Sequence, residues 1–155
     1  MEKRKPYDLH DGPGYKLALA ARVNDQFMDV SLAEMGLTRQ MWCVLIAVGE
    51  QAIHQPSDIA NYIGIKRSAL SRTLREMDNK GLLARSNGNG NGSGDGRSTT
   101  VSLTDEGNNL LAASLPLGEQ SRRRFRKNLS PAELKQLAAL LDKLLSGSDS
   151  LPSRI

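Results

Sequence analysis

A chain of 155 residues has room for one domain or two small lobes, and a hydrophobic fraction of 39% is low for a globule that buries its core alone. A single cysteine, Cys43, excludes an internal disulfide framework, and His10 and His54 stand too far apart to complete a Cys/His zinc spacing. The formal net charge of +4 sits in one stretch, Lys66 to Arg85, where Lys66, Arg67, Arg72, Arg75, Lys80 and Arg85 are set against Glu76 and Asp78 while the rest of the chain balances.

No apolar run is long enough to span a bilayer, and no signal-peptide core follows the Met1-Glu2-Lys3-Arg4-Lys5 start, so no membrane is expected and the expected compartment is cytoplasmic. Residues 1–14, with Pro6, Gly12, Pro13 and Gly14 and no period, are expected to form a flexible arm. From Tyr15 to about Val30, the apolar positions Leu19, Val23, Phe27 and Val30 recur at helical spacing and predict a first long helix, broken over 31–37 at Gly36. Thr38 then stands as an N-cap before Met41 to Val48, a run apolar on nearly every face. Such a helix belongs at the centre of a fold, which makes Trp42 and Cys43 core residues in the first instance.

Pro56 suits the first position of a short helix over Ser57 to Tyr62 that buries Ile59, Ala60 and Ile63. Gly64 supplies a turn, Ile65 plugs the core, and a basic helix runs on to Lys80 with Gly81 ending it. In that helix Leu70, Leu74 and Met77 make an apolar stripe at i, i+4 and i+7, while Arg67, Ser68, Ser71, Arg72 and Arg75 fall largely on other faces. Two helices joined by a glycine turn, the second basic, form a helix-turn-helix. Cations interleaved with hydroxyls suit a polyanion, because Arg and Lys neutralise phosphates and read guanine edges and Ser donates to either.

Leu82–Arg85 and Thr99–Leu103 read as two strands around Ser86–Ser98, almost wholly Asn, Gly and Ser, which predicts a hairpin with a long tip. No Gly-x-Gly-x-x-Gly frame fits within the tip, and it leads into a strand, which argues against a dinucleotide cradle. After the N-cap Thr104 a helix should carry Leu110, Leu111 and Leu115, with a kink or break at Pro116 and helix resuming toward Phe125. Arg122, Arg123, Arg124, Arg126 and Lys127 complement the dipole at its end. Ser130-Pro131-Ala132-Glu133 is a capping box opening a leucine helix, Leu134 to Leu145, and the tail 147–155 is expected to be disordered. Helices at the two chain ends suit a two-fold dimer interface, with an intramolecular bundle as the alternative.

This ordered set resembles the MarR family of winged helix-turn-helix regulators over about Tyr15 to Leu145. The resemblance is carried by Leu37-Thr38 with Met41-Trp42 and Val44-Leu45, then by Ile59-Ala60, Ile63-Gly64-Ile65, Ser71-Arg72, Leu74, Met77, Lys80-Gly81-Leu82 and Arg85. Asp95-Gly96-Arg97, Val101-Ser102-Leu103-Thr104-Asp105-Glu106-Gly107 and Leu129 to Leu134 complete it. It implies a mainly α fold with a small β-hairpin wing: a winged helix-turn-helix lobe at 37–103 and a helical dimerisation region from both chain ends, 15–36 and 104–146. It further implies a homodimer on a pseudo-palindromic double-stranded DNA operator, with Ser57, Lys66, Arg67, Ser68, Ser71 and Arg72 toward bases and phosphates. Arg97 would enter the minor groove, oriented by Asp95.

Members of this family commonly bind small, often aromatic or anionic effectors between the two regions, where Tyr15, Arg22, Met41 and Trp42 would line a pocket. Against that stand core packing for Trp42 and a surface ion pair for Arg22. A thiol-based redox switch at Cys43 and a winged-helix module for an acidic protein partner are the alternatives. No metal-ligand spacing, nucleophile with a base, or phosphate loop supports an enzyme, and no cofactor is expected. The wing role predicts that Arg97→Ala weakens operator binding in fluorescence anisotropy; unchanged affinity at matched salt would count against it.

Overall fold

The structure, a computed structural model, describes residues 6, 8–87 and 99–146. Its elements are α1 (Pro13–Glu34), α2 (Arg39–Gly49), α3 (Pro56–Ile63), α4 (Arg67–Asn79), β1 (Leu83–Asn87), β2 (Thr99–Leu103), α5 (Asp105–Arg126) and α6 (Pro131–Ser146). The mainly α architecture with one antiparallel hairpin is the expected one.

α2 organises the packing. Thr38 caps it by accepting from the Met41 N–H at 3.2 Å, and Met41, Val44, Leu45 and Ala47 are fully buried. Around it lie Leu32 of α1, Ile59 and Ala60 of α3, Leu70, Leu74 and Met77 of α4, Val101 of β2 and Leu111 of α5. Burying one such aliphatic side chain contributes about 1.5–3 kcal/mol, so this cluster is the main apolar store of the chain. The Gly64 turn between α3 and α4 has φ 78°, a left-handed conformation that carries no penalty without a Cβ, and Ile65 follows it into the core.

The hairpin pairs Leu83 with Leu103 and Arg85 with Val101, and it is moored at both ends. The Val101 N–H donates to the His54 carbonyl at 2.9 Å, and the His54 ring Nδ1 lies 3.0 Å from the Val101 carbonyl. A carbonyl only accepts, so Nδ1 is the donor there. At its base, Thr104 caps α5 by accepting from the Gly107 N–H at 3.1 Å while its own hydroxyl donates to the Gly81 carbonyl at 2.6 Å. Gly107 sits so close to that corner that an added Cβ would lie 2.2 Å from the Leu82 carbonyl oxygen. The Leu103-Thr104-x-x-Gly107 pattern is therefore a joint between the wing and α5.

Several boundaries differ from expectation. The expected arm is shorter, because Gly12 serves as N-cap and Pro13 takes the first helical position of α1. α1 also continues through Ser31, whose hydroxyl bonds back to the Phe27 carbonyl at 3.2 Å, and ends only at Glu34, with Met35 as C-cap and Gly36 beyond it at φ 69°, which admits the closing bond from the Leu37 N–H to the Leu32 carbonyl. β1 starts at Leu83 and takes in Ser86 and Asn87. α5 runs unbroken through Pro116 where a kink or break was expected. Pro116 and Ala112, the residue whose carbonyl loses its donor, are both exposed, so water can take the vacated bond. Lys66 is the N-cap of α4 and lies outside its helical span. The expected tail at 147–155, most of the hairpin tip, and the Asp95 and Arg97 positions lie outside the described residues.

α6 opens with the expected capping box. Glu133 accepts from both the N–H and the hydroxyl of Ser130 at 2.7 Å, bonds that hold its carboxyl below the usual range. The close approach at the wing joint predicts that Gly107→Ala lowers unfolding free energy by about 1–3 kcal/mol in urea titration. An unchanged midpoint would show that the corner yields freely.

Candidate nucleic-acid interface

α4 turns Leu70, Leu74 and Met77 into the core and leaves Lys66, Arg67, Ser68, Ser71, Arg72 and Arg75 exposed. The basic groups of this stretch then divide into two sets. Arg75 Nε donates to the Ser71 carbonyl at 3.3 Å, Lys80 Nζ to the Gly36 carbonyl at 2.7 Å, and Arg85 Nε lies 3.4 Å from Asp78 Oδ2. Lys66, Arg67 and Arg72 make no hydrogen bond or ion pair among the described residues, so their charge is uncompensated and available.

The same surface presents backbone donors. No side chain caps the N-terminus of α3 or of α4, whereas Thr38, Thr104 and Ser130 cap α2, α5 and α6. Uncapped first-turn N–H groups with the positive end of the helix dipole behind them bind anions. Ser57, in the first turn of α3, joins Arg67, Ser71, Arg85 and Thr99 around a groove of about 310 Å³ between α3, α4 and the hairpin. Its hydroxyl lies 3.4 Å from Asp58 Oδ1. The structure thus brings Ser57, Arg67 and Ser71 to one groove, with Lys66, Ser68 and Arg72 exposed on or beside α4. Arg85 and Thr99 at the groove are not among the expected site residues; Arg85 enters the sequence reading through the charge count and the family resemblance.

A second concavity, about 370 Å³, lies between α2, α3 and α5 and is lined by Trp42, Cys43, Ile46, Tyr62, Ile63, Leu115, Gly118, Glu119 and Arg122. Its size is in the range of small-molecule pockets. The Trp42 indole packs on Gly118, where a Cβ would stand 3.0 Å from the ring, and the indole Nε1 is buried without a hydrogen-bond partner among the described residues. Glu119 pairs with Arg122 at 2.9 Å. Of the four residues expected at a pocket, Trp42 alone lines this one. Met41 is fully buried in the core, the Tyr15 ring stands edge-on to His10 at 4.6 Å, and Arg22 is exposed with no ion pair among the described residues. Tyr62, Glu119 and Arg122 were not expected there, because only the packing of α3 and α5 against α2 brings them together.

Cys43 is half-buried at that cavity. Burial pushes its thiol pKa up, and the charge of Arg39 offsets this only in part. A raised pKa leaves less of the reactive thiolate at neutral pH, which disfavours the redox alternative. Among the described residues no group of three or more His, Cys, Asp or Glu could hold a metal ion, and no helix is long and apolar enough to cross a membrane.

Residues 35–92, from the end of α1 through the helix-turn-helix and into the hairpin, match the model of the MarR family. Over that stretch, 58 of its 155 residues, the chain is similar to the MarR family. Its fold agrees with solved structures along nearly their whole length. BpsR of Bordetella bronchiseptica, described with the regulation of its DNA binding by 6-hydroxynicotinic acid, is 24% identical, with 90% of this chain and 98% of that one covered and a TM-score of 0.76. A mutant of MarR from E. coli complexed with operator DNA gives 24% identity, 90% and 99% coverage and a TM-score of 0.76. MepR of S. aureus in a DNA complex gives 21%, 90% and 99%, and 0.77. At these identities the likeness carries the fold alone, a winged helix-turn-helix with helices from both chain ends.

The raised thiol pKa predicts slow alkylation of Cys43 by iodoacetamide at neutral pH, accelerating only in alkaline solution as the thiolate forms. A neutral-pH rate equal to that of an unstructured cysteine peptide would contradict the burial.

Proposed function

We propose that this chain is a homodimeric, sequence-specific double-stranded DNA-binding transcriptional regulator of the MarR family, a repressor whose hold on its operator is weakened by a small ligand. The observation that carries the reading is the exposed face of α4, where Lys66, Arg67 and Arg72 stand uncompensated beside the hydroxyls of Ser68 and Ser71. Cations positioned this way supply phosphate neutralisation, and the hydroxyls and guanidiniums supply base readout in the major groove. Ser57 and the uncapped start of α3 receive a flanking phosphate. Arg97, oriented by Asp95, is assigned to the minor groove, where narrow width concentrates negative potential.

The dimer is supported by what the protomer leaves uncovered. On α1, Leu19, Val23 and Val30 are exposed, the latter two at 62% and 60%, and α6 buries no residue at all, with Leu144 64% exposed. A second copy related by a two-fold axis would cover both faces and set two α4 helices about one DNA turn apart, ~34–36 Å, which matches a pseudo-palindrome. The effector is assigned to the Trp42 cavity. Its apolar walls suit an aromatic ring, the unpartnered Trp42 Nε1 offers a donor, and Arg122 offers a charge to an anionic group.

Two measurements test this. In a salt series of fluorescence anisotropy, a duplex from upstream of the protein's own gene should bind more tightly than a scrambled one, with log affinity falling steeply against log salt. Equal, weak binding to both would favour a protein partner. Sedimentation should give twice the 16.9 kDa protomer mass; a monomer at micromolar concentration would remove the two-fold geometry.

A further inference from the structure

We infer that Gln40, acting through Thr73, is a positioning residue for base readout: it sets the roll of α4 about its own axis without touching DNA. This rests on the proposed DNA-reading role of α4.

Three apolar side chains, Leu70, Leu74 and Met77, fix how deeply α4 sits, but apolar contact is non-directional and does not by itself fix a roll of about 20° around the axis of α4. Such a roll would carry the end of a side chain about 6 Å from the helix axis through ~2 Å. Paired hydrogen bonds to a base edge do not survive that displacement, since productive geometry is held within about 0.5 Å. A directional bond is needed, and α4 has one in its middle. Thr73 is buried among the apolar anchors, and its hydroxyl donates to Gln40 Oε1 of α2 at 2.9 Å, with the Ala69 carbonyl at 3.2 Å as a second acceptor.

The other side-chain bonds joining α4 to neighbouring elements, Lys80 to the Gly36 carbonyl and Asp78 to Arg85, lie at its C-terminal end. Ser68 and Ser71 project within about 40° of the direction opposite Thr73, so the Thr73 bond lies directly behind the outward face.

Gln40 is itself held at a fixed place. Its neighbour Arg39 bridges Asp25 and Asp29 of α1, bonding to Asp29 through Nε at 3.1 Å and through a terminal nitrogen at 2.7 Å. Burial alone would lower the Arg39 pKa, but the two carboxylates raise it overall. Thr38 caps the same turn at Met41. The first turn of α2 is thus pinned to α1 on one side and grips α4 through Gln40 on the other.

The test uses a duplex selected from a random library by the wild-type chain, compared with a scrambled duplex by anisotropy, for Gln40→Leu, Thr73→Val, the double variant and Thr73→Ser. Each of the first two should lower the ratio of selected to scrambled affinity about tenfold, the double variant no further, and Thr73→Ser should keep the wild-type ratio. Scrambled-duplex affinity, its salt slope and the melting temperature should stay unchanged, because phosphate contacts tolerate a small roll. A preserved ratio in Gln40→Leu, or parallel loss of both affinities with melting temperature, overturns the positioning role alone. Failure of the wild type to select any duplex overturns the DNA reading of α4 and this role with it.

Discussion

Burial of Met41, Val44, Leu45, Ala47 and Val48 along α2 is the constraint from which the other placements follow. A helix whose exposed surface would be nearly all apolar cannot stand at the edge of a fold, so α1, α3, α4, α5 and β2 must each give it a face. The apolar stripe of α4 faces α2, and its polar residues are thereby turned outward. For α4 this sends Lys66, Arg67, Ser68, Ser71 and Arg72 to the surface. The basic face is thus a consequence of how the core closes.

Electrostatics then separates cations that serve the fold from those that do not. Lys80 closes the end of α1 through the Gly36 carbonyl, Arg85 answers Asp78, Arg39 ties two carboxylates of α1 to α2, and Arg124 lies 5.2 Å above the Phe27 ring. Exposed pairs of this kind contribute little stability, about 0–1 kcal/mol each, but they account for the charge. Lys66, Arg67 and Arg72 have no such account among the described residues. That asymmetry, together with two uncapped helix starts on the same surface, distinguishes a polyanion-binding face from an ordinary solvated one.

Much of this was legible in the sequence because it depended on local chemistry. The Thr38 and Thr104 caps, the Ser130/Glu133 box, the Gly64 turn and the stripe of Leu70, Leu74 and Met77 each follow from a few neighbouring residues, and each is observed. The failures have a common physical origin too. Pro116 removes one backbone bond, but whether a helix breaks depends on whether water or a neighbour replaces it, which spacing does not reveal. The end of α1 was set too early because Ser31 satisfies itself by bonding back one turn. The Trp42 cavity could not be read, since Tyr62, Glu119 and Arg122 come from elements distant in the chain, and Met41 looked equivalent to Trp42 until the packing put one inside and the other at the wall.

The division of the basic residues into tethered and untethered sets is the central claim, and the salt dependence of DNA binding measures it directly. Anisotropy salt series would be run on one selected duplex with the wild type, the triple variant Lys66→Ala/Arg67→Ala/Arg72→Ala, and the double variant Arg75→Ala/Lys80→Ala. The slope of log affinity against log salt should flatten by about 0.9 for each phosphate contact the first variant loses and stay near wild type for the second. Equal flattening in both would show that DNA responds to the net charge of the region and that the face of α4 has no special part in binding.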